Sequence, residues 1–154
     1  MPKLISIIIP AYNVEEYIAE AIASVQKQTY PYWELLVVND GSTDATEAKI
    51  KQAATSDSRV RLINQVNGGS SRARNTGIAE ASGDYIAFLD GDDLWKPTFL
   101  EEMLAAKEKN AASIIYCGYT HLYRCGLQRG FRHSYMSGDV LLASIKGKCP
   151  IHIG

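Results

Sequence analysis

The chain has 154 residues, of which 46% are hydrophobic and 21% charged, and its net charge is -1. A chain of this length buries roughly 70% of the surface it exposes when unfolded, so one domain can fold without disulfide or metal staples. The near-zero charge excludes a whole-chain attraction to nucleic acid or anionic lipid, and partners must be argued from local sites.

Leu4-Ile-Ser-Ile-Ile-Ile9 is a nearly continuous β-branched run, as in a parallel strand buried on both faces. Pro10 ends it after six residues, too few for a membrane span or a signal-peptide core. Apolar residues at Val14, Tyr17, Ile18, Ala21, Ile22 and Val25 keep helical spacing and predict a helix from Val14 to about Gln28. Trp33 to Val38 predicts a second strand, Asp44 to Ala54 a second helix, and Val60 to Ile63 a short third strand. Gly68-Gly69 opens a predicted helix from about Ser70 to Ala81. Tyr85 to Leu89 reads as a fourth strand, Pro97 to Lys109 as a helix with its proline in the first turn, and Ser113 to Tyr119 as a fifth strand. Residues 120–138 lack a clear period and fit a loop or irregular hairpin, Asp139 to Ile145 a short capped helix, and Cys149 to Gly154 the start of a strand.

Strand–helix alternation with short connections predicts an α/β fold: a mostly parallel sheet with helices on both faces. Ligands of such sheets bind at the carboxyl ends of the strands. The unusual segments all follow strands: Pro10-Ala-Tyr-Asn13, Asn39-Asp-Gly-Ser-Thr-Asp44 and Asp90-Gly-Asp-Asp93. They are expected on one rim. Cys117, Cys125 and Cys149 have no metal-type spacing and read as free thiols of a reducing compartment, so the chain is expected to be cytoplasmic.

Asp90, Asp92 and Asp93 place three mutually repelling carboxylates in four residues. A divalent cation relieves the repulsion, and hard oxygen ligands suit Mg2+ or Mn2+. The alternative is an Asp-Gly turn capping the next helix. Asp40, past the second strand, either accepts a proton from a base or ribose or serves its own turn. Asp44 reads as a cap. Tyr12 either stacks on a base or lies partly in the core. Arg72 and Arg74, at a helix N-terminus behind a glycine pair, form a potential phosphate site or a solvated face. His121, His133 and His152 are too widely spaced for a metal site.

Four segments together resemble family 2 glycosyltransferases of the GT-A fold. They are Ser6-Ile-Ile-Ile-Pro-Ala-Tyr-Asn13, Val37-Val-Asn-Asp-Gly-Ser-Thr-Asp44, Asn67-Gly-Gly to Ala73-Arg-Asn-Thr-Gly77, and Gly83-Asp-Tyr-Ile-Ala-Phe-Leu-Asp-Gly-Asp-Asp93. The resemblance covers residues 4 to about 118. It implies a Rossmann-like GT-A fold and inverting transfer from a nucleoside diphosphate sugar, most often a UDP-sugar, to a hydroxyl acceptor on a glycan or lipid-linked glycan in polysaccharide synthesis. By matched motif, Pro10, Ala11 and Tyr12 would line the base pocket and Asp40 would read the base edge. Arg72 and Arg74 would lie near phosphate or sugar, and Asp90 and Gly91 near the donor. Asp92 and Asp93, in the DxD-type motif, would hold Mn2+ or Mg2+. Asn39-Asp40 stands where many relatives carry two acids.

The family's catalytic base belongs to a later acidic segment that has no match before Gly154. The resemblance therefore implies a donor-binding domain over 1–154, truncated at its C-terminus, with any attachment to the inner membrane made through other segments. The competing reading is a non-catalytic domain of the same fold that holds a nucleotide or a partner.

Overall fold

The structure is a computed structural model that describes residues 2–110, 114–117, 120–122 and 128–130, the last two stretches as backbone. The chain divides into two compact units, Met1–Lys109 and Asn110–Gly154.

In the first unit β1 (Ile5–Ala11), β2 (Trp33–Asn39), β3 (Val60–Asn64) and β4 (Tyr85–Phe88) form one sheet in the order β3-β2-β1-β4. Every pairing is parallel, with Ile7 opposite Leu35 and Ala87, and Val37 opposite Leu62. The helices α1 (Ile18–Gln26), α2 (Thr46–Ser56), α3 (Ser70–Glu80) and α4 (Phe99–Asn110) alternate with the strands. The expected α/β architecture is present.

Why the central strands lack a polar alternation follows from the packing. Ile5, Ile7, Ile9, Trp33, Leu35 and Val37 point to one face and pack with Ile18, Ile22, Val25, Ile50 and Leu100 of α1, α2 and α4. Ile8, Leu36 and Val38 point to the other and pack with Ala73 of α3. With both faces covered, successive side chains are buried, and each large aliphatic one contributes roughly 1.5–3 kcal/mol. Gly77 lets α3 lie directly on β1, because a Cβ there would collide with Ile8.

Three helices start later than expected, α2 at Thr46 rather than Asp44 among them. Val14 to Tyr17 forms a turn before α1, whose first residue is Ile18. Pro97 and Thr98 likewise precede α4, and the Leu100 N–H of its first turn donates to Gln28 Oε1 at 3.0 Å, joining the end of α1 to the start of α4.

In the second unit the fifth strand expected over Ser113 to Tyr119 is not formed by residues 114–117, and Ile114 is 66% exposed. The two β-branched residues there have strand propensity, but among the described residues no strand pairs with them. Instead β5 (Thr120–Leu122) pairs antiparallel with β6 (Gln128–Gly130), in the stretch that reads as an irregular hairpin. The helix expected over Asp139 to Ile145, the strand start at Cys149, and Cys125, His133 and His152 lie outside the described residues. No helix among the described residues is long and apolar enough to cross a membrane.

Candidate functional site

Parallel pairing puts the carboxyl ends of all four strands on one rim, and strand order reverses between β1 and β4, where ligands of such sheets enter. Pro10 helps to open that gap. Even-numbered residues of β1 direct their backbone groups toward β4, as Leu89 N–H donating to Ile8 O shows. The next such position is Pro10, which has no N–H, so the ladder cannot continue and β4 turns away. Gly91 fills the space beside it. It is buried, and a Cβ there would lie 3.1 Å from Val14 Cγ2 and 3.4 Å from Pro10 O.

Ala11 is buried as the last residue of β1, opposite Asn39, while Tyr12 is 50% exposed on the rim. The turn that carries Tyr12 is tied to the loop after β2. Asn13, at φ 50°, accepts from Thr43 N–H at 2.9 Å and donates its own N–H to Ser42 Oγ at 3.1 Å. Val14 N–H donates to Thr46 Oγ1, Glu15 N–H to Asp44 Oδ2, and Ala45 N–H to Glu15 Oε2. Asp44 also accepts from Thr46 N–H at 3.0 Å in a turn ahead of α2, whose N-cap residue is Ala45 rather than the expected Asp44. Burial works against its charge, but the Thr46 hydroxyl and the N–H groups of Thr46 and Glu15 outweigh that and hold its pKa below the ordinary carboxylate value.

Asp40 lies 2% exposed at the end of β2. Its Oδ1 accepts from Gln65 Nε2 at 2.6 Å and Gly68 N–H at 2.9 Å, and its Oδ2 from Gly69 N–H at 2.8 Å. A buried carboxylate is tolerable only with such donors. The glycine turn that reads as a phosphate cradle therefore holds an anion of its own chain. Two glycines make the geometry possible: Gly69 has φ 86°, and Gly41 has φ 74° with Asn67 N only 2.9 Å from where a Cβ would stand. Asn39 adds a second tie, donating to Asn64 Oδ1 and accepting from Ser42 N–H.

Arg74 and Arg72 separate. Arg74 Nη2 donates to Asp90 Oδ1 at 2.5 Å, with side chains 18% and 19% exposed. Arg72 is exposed in the first turn of α3 and lies over Gly68. Asp93 N–H donates to Asp90 O at 3.1 Å, closing the turn, and Asp92 and Asp93 are both exposed. Of the three acids, Asp90 is half-buried and paired with Arg74, and Asp92 and Asp93 are the more exposed. Among the described residues no three His, Cys, Asp or Glu side chains are grouped to hold a cation. A site of one or two carboxylates completed by substrate phosphates is the usual arrangement for Mg2+, and Asp92 and Asp93 fit it.

Residues that the sequence reading passed over are Gln65, Thr76 and Glu15. Thr76 Oγ1 donates to Gln65 Oε1 at 2.6 Å, so α3 and Asp40 are joined through one glutamine side chain.

The model of the family described as glycosyl transferase family 2 matches residues 6–153. The chain is 47% identical over 117 residues to an Escherichia coli protein, UDP-Glc:alpha-D-GlcNAc-diphosphoundecaprenol beta-1,3-glucosyltransferase WfgD, covering 75% of this chain and 46% of that one. It is 44% identical over 119 residues to the glycosyltransferase EpsJ of Bacillus subtilis (strain 168), covering 77% and 35%. Among solved structures, S. aureus TarS in complex with UDP-GlcNAc matches with TM-score 0.61 at 31% identity, covering 70% of this chain and 32% of that one. Pyrobaculum calidifontis mannosyltransferase PcManGT, in complex with GDP-Man and Mn2+, matches with TM-score 0.61 at 26% identity, covering 68% and 32%. The chain spans less than half the length of these relatives. With the four motifs on one rim of a parallel sheet and the family model matched over nearly its whole length, the chain belongs to glycosyl transferase family 2.

Proposed function

We propose that this chain binds the donor of an inverting glycosyltransferase, a nucleoside diphosphate sugar with UDP as its nucleotide, for transfer to a hydroxyl of a glycan or lipid-linked glycan. The observation that carries the reading is the place of the Asp90 turn, at the gap between β1 and β4 where strand order reverses. Arg74 pairs with Asp90 there, and Asp92 is exposed beside it. UDP-GlcNAc on TarS and the sugar-nucleotide name of the E. coli relative support a uridine donor.

In this reading Tyr12 offers a ring face to the base and Asp40 accepts its imide N–H. Arg72 and the free N–H groups at the start of α3 face the diphosphate, where a helix N-terminus favours negative charge. Asp92 and Asp93 hold Mn2+ or Mg2+, which when bound supplies Lewis-acid neutralisation of the leaving diphosphate. Inversion also requires a general base for the acceptor hydroxyl. No residue described here is assigned that role.

Calorimetric titration of UDP, with Mn2+ and again with chelator, tests the proposal. Binding that requires Mn2+ is expected. A folded chain that binds no UDP under either condition would overturn the donor reading.

A further inference from the structure

Gln65 belongs to none of the four motifs, yet its half-buried side chain joins two of them. Nε2 donates to Asp40 Oδ1 at 2.6 Å, Oε1 accepts from the Thr76 hydroxyl at 2.6 Å, and its backbone N–H donates to Asn39 O at 3.0 Å. The Asp40 carboxylate, which only accepts, fixes which way the amide points, because a reversed amide would set its oxygen against it. The Thr76 hydroxyl, free to donate or accept, donates to the amide oxygen and holds the side chain in place.

A carboxylate has about four acceptor positions, two on each oxygen. In Asp40, Oδ1 takes two donors, Gln65 Nε2 and Gly68 N–H, and Oδ2 takes one, Gly69 N–H. One position remains, on Oδ2.

We infer that Gln65, anchored by Thr76, is a positioning residue that selects the base: by saturating one oxygen of Asp40 it leaves a single acceptor for the nucleotide. The inference rests on the proposal that Asp40 meets the base. Uracil presents one imide N–H between two carbonyls, which one acceptor satisfies. Guanine presents two adjacent donors, N1–H and the 2-amino group, and one of them would stay unpaired. Cytosine presents a bare ring nitrogen, which a carboxylate repels. A site that leaves a buried polar group unpaired discriminates strongly against that ligand.

The test compares Kd values for UDP and GDP with Mn2+ present, in wild type, Gln65→Met, Thr76→Val and Thr76→Ser, each with a thermal melt. The wild type is expected to prefer UDP. Gln65→Met frees an acceptor on Oδ1 and is expected to reduce the UDP preference roughly tenfold, the scale of one hydrogen bond to a charged group. Thr76→Val is expected to shift the preference the same way, and Thr76→Ser, which keeps the hydroxyl, to retain the wild-type ratio. Loosening of the fold alone would weaken both nucleotides in parallel. An unchanged ratio in folded Gln65→Met, or in Thr76→Val should the first variant not fold, overturns the role of Gln65 and leaves the donor reading standing. A wild type that binds both nucleotides equally overturns it as well. A folded wild type that binds neither removes the donor reading, and this inference with it.

Discussion

Asp40-Gly41 and Asp90-Gly91 are the same dipeptide at the ends of two parallel strands, and the fold treats them in opposite ways. The first carboxylate is buried and spends three acceptor positions on the loop after β3. The second opens a turn in which its own charge is met by Arg74 and Asp92 is exposed. An acidic residue at a strand end is thus available to a ligand only so far as its acceptor positions are unspent. The same holds for donors: Gly68 and Gly69 lie at the N-terminus of α3, yet their N–H groups serve Asp40.

The comparison breaks most easily at Asp40. Alanine there removes the shared acceptor of three donors, and each hydrogen bond to a charged acceptor is worth about 1.5–3 kcal/mol, without simple additivity. Urea unfolding of Asp40→Ala is expected to show a loss of about 3–5 kcal/mol. A loss no larger than that of a surface substitution would mean that the glycine loop holds itself. Arg74→Leu comes next. It leaves Asp90 partly buried without its cation, and about 1–3 kcal/mol of stability should go with it. Asp92→Ala should behave differently, changing stability by no more than about 0.5 kcal/mol while removing Mn2+-dependent UDP binding. If Asp92→Ala instead destabilised the fold as Asp40→Ala does, the two acidic motifs would not differ in kind.

What was legible in the sequence follows from the range of the forces involved. The strands declare themselves because burial on both faces demands the unbroken runs around Ile7 and Leu36. The rim follows from parallel pairing alone, which puts Tyr12, Asp40 and Asp90 together from the sequence. The split between Arg72 and Arg74 was legible too, had helix phase been used. Residues two apart on a helix point in nearly opposite directions, and Arg74 flanks the buried Ala73. Gln65 was not legible. Its partners lie 25 residues before it and 11 after it, and no local pattern marks a glutamine that bridges a strand end to a helix. The start of α1 lies later than the spacing predicts for a related reason: the Glu15 carbonyl, which a longer helix would pair with the Ala19 N–H, accepts from Lys49 Nζ, and the Glu15 N–H is tied to Asp44 of another loop.

That last tie gives the smallest effect and the finest test. The Asp44 pKa is held below the 3.8 of an unperturbed carboxyl. A depressed pKa stabilises the folded chain fully above the unfolded value, and the contribution is lost as pH falls through the folded one. Wild type minus Asp44→Asn stability should therefore be constant near neutral pH, begin to shrink as the unfolded carboxyl protonates around 3.8, and go on shrinking as pH falls through the lower folded value. Taking the difference matters, because Glu34 and Asp57 are also depressed and lose their contributions in acid. Hydrogen exchange at the Glu15 and Thr46 amides reads the same event locally, since both donate to Asp44. Faster exchange at those two positions in acid, with Gly68 and Gly69 still protected by Asp40, would show that the two loops release independently. Simultaneous loss of protection at all four would make the rim one cooperative unit, and the contrast between its parts would then belong to binding alone.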